Sequence, residues 1–79
     1  MPTVLRVDGY DFLFYAADRD EPAHVHVRRG RQGAKYWLLP LVRLARNVRF
    51  RQHELTEIEK IILEHREFLL EAWNEFFGR

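Results

Sequence analysis

His24 and His26 have the most distinct chemical signature in this sequence. They lie two positions apart in His24-Val25-His26-Val27, a segment typical of a strand, so both imidazoles are expected on one face about 7 Å apart. That separation suits two chemistries: proton transfer at one substrate, or binding of one metal ion. A third interpretation needs no chemistry, because a histidine pair on a half-buried strand can simply hydrogen-bond to the backbone.

A metal site on this pair is incomplete in the sequence, because structural zinc takes four protein ligands and catalytic zinc takes three and a water molecule. Five other residues could add ligands: Asp18, Asp20, Glu21, His53 and His65. None of them stands at a diagnostic spacing. The sequence therefore predicts no metal ion and no cofactor, and leaves His24 and His26 as the candidate ligands should a metal bind. The lack of cysteine excludes cysteine-based metal sites and disulfides.

Acid–base cleavage of RNA is the alternative chemistry for the pair. It needs a base for the 2′-hydroxyl, an acid for the leaving oxygen and cations for the developing negative charge. His24, His26 and Arg28 could supply all three without a metal. If the protein is an enzyme, the sequence therefore predicts a metal-independent endoribonuclease with these three catalytic residues.

The net charge of +1 conceals two regions of opposite charge. Residues 22–53 contain eight basic residues and no acidic one, whereas residues 54–79 contain seven glutamates against three basic residues. This asymmetry favours an anionic partner, either nucleic acid or an acidic protein surface. The alternative is that the two regions pair with each other inside the fold. The predicted nucleic-acid-binding residues are Arg29, Arg31, Lys35, Arg43, Arg46, Arg49 and Arg51.

Short strands are predicted to position these residues. Alternating or β-branched segments indicate strands at 3–7, 10–16, 24–27 and 34–39. Residues 41–50 favour a fifth strand that ends near Asn47, with a short helix as the alternative. Asp8-Gly9 predicts a tight turn, residues 17–23 predict a loop, and residues 28–33 predict a second turn.

The C-terminal third predicts one long helix over residues 52–77. Apolar residues recur at alternating spacings of three and four from Leu55 to Phe76. Four flanking residues widen this stripe into a core-facing surface: Ile61, Phe68, Trp73 and Phe77. His65 lies on the stripe, so we expect a hydrogen-bonded core residue there.

Together these elements predict one α+β domain over residues 1–79. A small antiparallel β-meander of four to five strands occupies residues 1–50, and one long C-terminal amphipathic helix covers it. A chain of 79 residues is too short for a two-domain enzyme.

Hydropathy and charge exclude a membrane segment. The longest stretch without a charged side chain, residues 36–42, is far shorter than the ~18 apolar residues of a membrane-spanning helix. Arg6, Asp8 and Asp11 stand where a secretory signal would be apolar. We therefore expect a cytoplasmic protein with no membrane partner, and self-association as a supplement to a small core.

Several segments together resemble one family. They are Met-Pro-Thr-Val-Leu-Arg at the start, Glu-Pro-Ala-His-Val-His-Val at 21–27, Ala-Lys-Tyr-Trp-Leu at 34–38, Leu-Ala-Arg-Asn at 44–47, Glu-His-Arg-Glu at 64–67 and Leu-Leu-Glu-Ala-Trp at 69–73. The sequence resembles, almost end to end, the small prokaryotic family named domain of unknown function 4160. It departs from the family pattern at Ala23, where the family often has proline, and at Arg49, where it often has glycine.

Proteins of that family are typically encoded beside a small partner protein, as in type II toxin–antitoxin pairs. The resemblance therefore implies a toxin-like protein with a cognate small protein partner. The charge pattern adds the prediction that it acts on nucleic acid through its basic Arg/His surface. The alternatives are a non-catalytic module that binds nucleic acid or protein, and a histidine-based metal-binding protein. The resemblance also carries over His24, His26, Lys35 and Trp73 as positions of the family pattern, without assigning them roles.

Overall fold

A computed structural model of the protein describes residues 3–78; Met1, Pro2 and Arg79 lie outside the described residues. The chain forms five strands and then two helices, with a 3₁₀ helix, Ala16–Asp20, after the second strand. The strands are β1 (Thr3–Val7), β2 (Tyr10–Leu13), β3 (His24–Arg29), β4 (Gln32–Trp37) and β5 (Arg43–Val48), and the helices are α1 (Gln52–Glu64) and α2 (Arg66–Phe76). The predicted α+β class is confirmed.

The strands form one antiparallel sheet in chain order, β1-β2-β3-β4-β5. Asp8 and Gly9 connect β1 to β2 with φ angles of 53° and 83°. These are the two positive values that a two-residue type I′ turn requires. Gly30, with a φ of 59°, turns β3 into β4. Such short turns join only neighbouring antiparallel strands, which explains the meander.

Two predicted boundaries are wrong in this region. The strand predicted over residues 10–16 ends at Leu13, and the loop predicted over residues 17–23 contains most of the 3₁₀ helix. The chain turns here because the carboxylate of Asp18 accepts the N–H of Tyr15. The turn predicted over residues 28–33 shrinks to two residues, because the positive φ of Gly30 lets the β3–β4 pairing continue to its end.

Side-chain alternation along the strands decides which residues are buried. Val25 and Val27 of β3 project to one face, and Phe12 of β2 and Tyr36 of β4 lie on that face beside them. The helices cover this face and complete its core. The buried residues that they and the preceding turn contribute are Phe50, Leu55, Ile58, Ile61, Ile62, Leu69 and Trp73.

The prediction of one long helix is wrong, because α1 and α2 are separated at His65. The backbone N–H and the Nδ1–H of His65 both donate to the carbonyl oxygen of Ile61, at 3.1 and 2.8 Å. A side chain that competes for the helical hydrogen bonds in this way interrupts a helix. Phe68, predicted to face the core, is 47% exposed, because the buried residues of α2 are Leu69 and Trp73 and Phe68 lies outside that face. Neither helix is long and apolar enough to span a membrane.

Glu54 fastens the start of α1 to the sheet. Its carboxylate accepts the N–H of Arg51 at 2.8 Å and the side-chain amide of Gln32 at 3.0 Å, and it pairs with Arg29. The N–H of Arg51 lowers the pKa of the Glu54 carboxyl; burial opposes this, and Gln32 and Arg29 lower the pKa further. The basic region and the acidic helix therefore do meet at this point.

Arg49 adopts a backbone conformation that favours glycine. Its φ is 73°, in the left-handed region. The turn is maintained by its neighbours. The side-chain amide of Gln32 donates to the carbonyl oxygen of Arg49 at 3.1 Å, and the N–H of Phe50 donates to Asn47 at 3.1 Å.

Arg49→Gly should stabilise the protein by about 1 kcal/mol. The substitution removes a left-handed strain of ~1–2 kcal/mol, which the entropy of glycine in the unfolded chain only partly offsets. Urea unfolding followed by circular dichroism measures the difference. Arg46→Gly in β5 is the matched control and should destabilise, because glycine weakens a strand. A loss of stability in Arg49→Gly would contradict this explanation.

Candidate functional site

The face of the sheet opposite the helices carries a groove of about 640 Å³. The register of β3, β4 and β5 sets three rows of paired residues on this face. The rows are His24–Trp37–Arg43, His26–Lys35–Arg46 and Arg28–Gly33–Val48. Because Gly33 has no side chain, the third row is open at its centre.

The 3₁₀ helix brings Asp18 to the two histidines at one end of this face. Oδ2 of the buried Asp18 accepts the N–H of Tyr15 at 3.0 Å. The same oxygen lies 2.9 Å from Nε2 of His26 and 3.1 Å from Nε2 of His24. Burial on its own raises the pKa of the Asp18 carboxyl, but the N–H of Tyr15 and the two imidazoles outweigh burial and lower that pKa. Asp18 is therefore ionised at neutral pH.

His26 lies between this acid and the groove. Its Nε2–H donates to Asp18, and its ring packs against Tyr15 with 4.5 Å between the centroids. Burial lowers the pKa of the His26 imidazole, and the charge of Asp18 offsets only part of that effect. The imidazole is therefore neutral at neutral pH, with its proton on the nitrogen that faces Asp18.

His24 is fully buried, with 0% exposure, among other rings. The distances between ring centroids are 5.0 Å to His26, 5.5 Å to Trp37 and 5.0 Å to Trp73. Trp73 comes from α2 and is itself 2% exposed. The end of the second helix therefore closes this part of the site against solvent.

The two ring nitrogens of His24 have different surroundings. Nδ1–H donates to the carbonyl oxygen of Pro22 at 2.9 Å, so the lone pair of the neutral ring is on Nε2. Nε2 is the one buried side-chain nitrogen or oxygen in residues 3–78 without a hydrogen bond. Asp18 is near enough at 3.1 Å, but its direction of approach does not make a hydrogen bond.

The structure separates the residues predicted to be catalytic. His26 and Arg28 line the groove, whereas the buried His24 does not. Nη1 of Arg28 donates to the hydroxyl of Tyr15 at 3.3 Å, so its guanidinium lies within reach of the His26 side of the groove. The catalytic roles of His24, His26 and Arg28 stay predictions.

Four cationic side chains line the groove: Arg28, Arg31, Lys35 and Arg46. Nζ of Lys35 lies 2.5 Å from Glu21 and 4.6 Å from the centre of the Trp37 ring. Lys35 lowers the pKa of the Glu21 carboxyl through its hydrogen bond. Within residues 3–78, no ion pair with an acidic side chain is seen for the three arginines.

The other predicted nucleic-acid-binding residues lie elsewhere. Arg29 projects to the helix side, where its guanidinium stacks 4.4 Å from the centre of the Tyr10 ring and pairs with Glu54. Arg43, Arg49 and Arg51 are exposed but do not line the groove. Of the seven predicted residues, the structure thus gathers Arg31, Lys35 and Arg46 in one place.

Sequence reasoning missed the role of Asp18, which it treated as one of several acids. The signal was present in its spacing from Tyr15, because an acid three residues after an extended residue can accept that residue's N–H. The other four candidate ligands, Asp20, Glu21, His53 and His65, are absent from the cluster of Asp18, His24 and His26.

A sequence model of the family described as Domain of unknown function (DUF4160) matches residues 9–74. The chain belongs to this family. The match includes the groove and the buried histidine cluster. Neither the curated proteins nor the solved structures that were searched contain a match to the chain.

The positions that the DUF4160 resemblance carried over lie around one site. Trp73 contacts His24, His24 contacts His26, and His26 pairs across the strands with Lys35. Residues from two strands and a distant helix therefore meet at the end of the groove.

Trp73→Ala should destabilise this DUF4160 protein by about 3–5 kcal/mol, because a buried tryptophan is lost. Its ring packs on Phe14 at 5.3 Å and on Phe77 at 4.3 Å as well as on His24. Trp37→Ala is the matched control and should cost less, because Trp37 is half-buried. Urea unfolding by circular dichroism measures both, and Trp73→Phe replaces the alanine variant if that variant does not fold. Equal losses at the two tryptophans would contradict the closing role of Trp73.

Proposed function

We propose that this protein binds single-stranded RNA in the groove on the open face of its sheet. The observation that carries the proposal is the clustering of Arg28, Arg31, Lys35 and Arg46 along one groove. Phosphate neutralisation by such cations supplies much of the affinity for nucleic acid. The guanidinium of arginine also suits phosphate oxygens geometrically.

The balance of charges in the groove supports an anionic ligand. Its two acids, Asp18 and Glu21, each contact a partner, His26 or Lys35. Among residues 3–78 the arginines of the groove have no such acidic partner, so their charge is available to phosphates. Tyr15 and Trp37 add aromatic rings on which bases can stack.

A single strand fits this surface better than a duplex. The groove lies on the open face of the sheet. The helices pack on the other face, and only Trp73 of α2 reaches the buried His24 at the end of the groove, so neither helix is placed to enter a major groove. Sheets that bind single strands combine basic and aromatic side chains in the same way.

In the cell, we propose a toxin-like role with a cognate small protein partner. The support is the family resemblance together with the basic groove, whose charge would attract both RNA and an acidic inhibitor. The alternative is a regulator that binds RNA without harming the cell. If RNA is also cleaved, His26 and Arg28 are the predicted catalytic residues that face the groove.

RNA binding should weaken steeply with salt. Three phosphate contacts, from Arg28, Arg31 and Arg46, predict a slope of about −2 in a plot of log K against log salt concentration, and Arg46→Gln should reduce its size by about 0.7. Fluorescence anisotropy with a labelled single-stranded RNA of about a dozen nucleotides measures both. The matched control is Arg51→Gln, an exposed arginine outside the groove, which should bind as the wild type does.

Equal effects of Arg46→Gln and Arg51→Gln would rule out the groove as the binding surface. Binding to polyglutamate but not to RNA would instead indicate an acidic protein as the natural partner.

Induced expression in a bacterial host should slow growth, and the double variant Arg28→Gln/Arg46→Gln should restore it, because phosphate binding is lost. Growth rate is measured at matched levels of soluble protein, with Arg51→Gln as the variant that stays inhibitory. The integrity of cellular RNA distinguishes cleavage from binding alone. Normal growth with soluble wild-type protein would contradict the toxin-like role.

A further inference from the structure

We propose that Asp18, His24 and His26 form a binding site for one divalent transition-metal ion of the zinc type. The candidate ligand atoms are one carboxylate oxygen and two imidazole nitrogens, and all three lie within 4.8 Å of one another. Two of the residues are buried and the third is half-buried. The site stands whether or not the groove binds RNA.

The unsatisfied Nε2 of His24 is the strongest indication. Because Nδ1 donates to Pro22, Nε2 of the neutral ring presents a lone pair. That lone pair lies 3.1 Å from a carboxylate oxygen of Asp18, which is also an acceptor. Two acceptors this close together in a buried place are unfavourable. A cation bound to both would satisfy them together.

The surroundings of the ligands are those of a metal site. Histidine ligands usually donate their second ring N–H to a carbonyl or carboxylate oxygen, which fixes the tautomer. His24 does this through Nδ1–H and Pro22, and the N–H of Tyr15 orients Asp18. His26 now donates Nε2–H to Asp18, but it can free that nitrogen by carrying the proton on Nδ1, with no change of charge.

The distances from Asp18 to the two imidazoles fit a transition metal of the zinc type. Bonds of about 2.0–2.2 Å from zinc to nitrogen and oxygen place two ligands of one ion roughly 3–3.5 Å apart. Oδ2 of Asp18 is 3.1 Å from Nε2 of His24 and 2.9 Å from Nε2 of His26. Two imidazoles disfavour Mg²⁺ and Ca²⁺, which prefer oxygen. Asp18 and His26 line the groove, so a water molecule from that side would complete the coordination.

The experiment uses untagged full-length protein, freed of metal by dialysis against a chelator. Titration with ZnCl₂ should show one ion bound per chain and a raised temperature of unfolding, because the ion binds the folded state. Co²⁺ should bind with the visible absorption typical of a site with fewer than six ligands. Elemental analysis of protein purified without any chelator should detect the metal that is bound in the cell.

Asp18→Asn and His26→Gln should each weaken Zn²⁺ binding by about 100-fold or more. Replacing a residue that only hydrogen-bonds to a metal ligand already lowers metal affinity about 10–100-fold. Their matched controls are Asp20→Asn, an exposed acid of the same 3₁₀ helix, and His53→Gln, an exposed histidine. Both controls should bind one ion as the wild type does. His24 is too deeply buried for its substitution to be the decisive variant.

Failure of wild-type protein to bind one Zn²⁺ ion, or equal binding by Asp18→Asn, would overturn the proposal. Loss of binding in His53→Gln would show that the ion sits on surface histidines. If Asp18→Asn or His26→Gln does not fold, the stoichiometry and the Co²⁺ spectrum of the wild type still test the proposal, with His53→Gln as the control. Because RNA binding is not measured, failure here leaves the proposed function unaffected.

Discussion

The alternation of side chains along β3 is the constraint on which the rest of the structure depends. Val25 and Val27 must be covered, and the helices cover them. That choice forces His24, His26 and Arg28 onto the opposite face, because neighbouring side chains of a strand point in opposite directions. The register of β3 therefore determines both the core and the site. A shift of one residue in β3 would turn the valines to the open face and the histidines to the helix side.

Burial divides the basic residues into two groups with different physical roles. Arg29 projects to the helix side, where Tyr10 and Glu54 hold it, and so it joins the sheet to α1. Its neighbour Arg28 projects into the groove. The two interpretations of the basic region, internal pairing and an anionic partner, thus each describe one part of the same segment.

Asp18 connects the local structure to the site. Its carboxylate closes the 3₁₀ helix through the N–H of Tyr15 and also meets both histidines. Burying a carboxylate costs free energy unless the carboxylate has such partners. Trp73 then excludes water from His24, so a polar cluster is held inside a mostly apolar environment.

The sequence by itself determined the α+β class, the tight turn at Asp8-Gly9, the helical C-terminal third and the shared face of His24 and His26. These features depend on contacts between near neighbours, which periodicity and turn residues report directly. Only the tertiary structure decided that the helix breaks at His65, that Asp18 joins the histidine pair, and that Arg29 and Arg31 have different surroundings. Those outcomes depend on which distant segments meet, and Trp73 reaches His24 only because α2 packs back across the sheet. The spacing of residues along the chain does not predict such a contact.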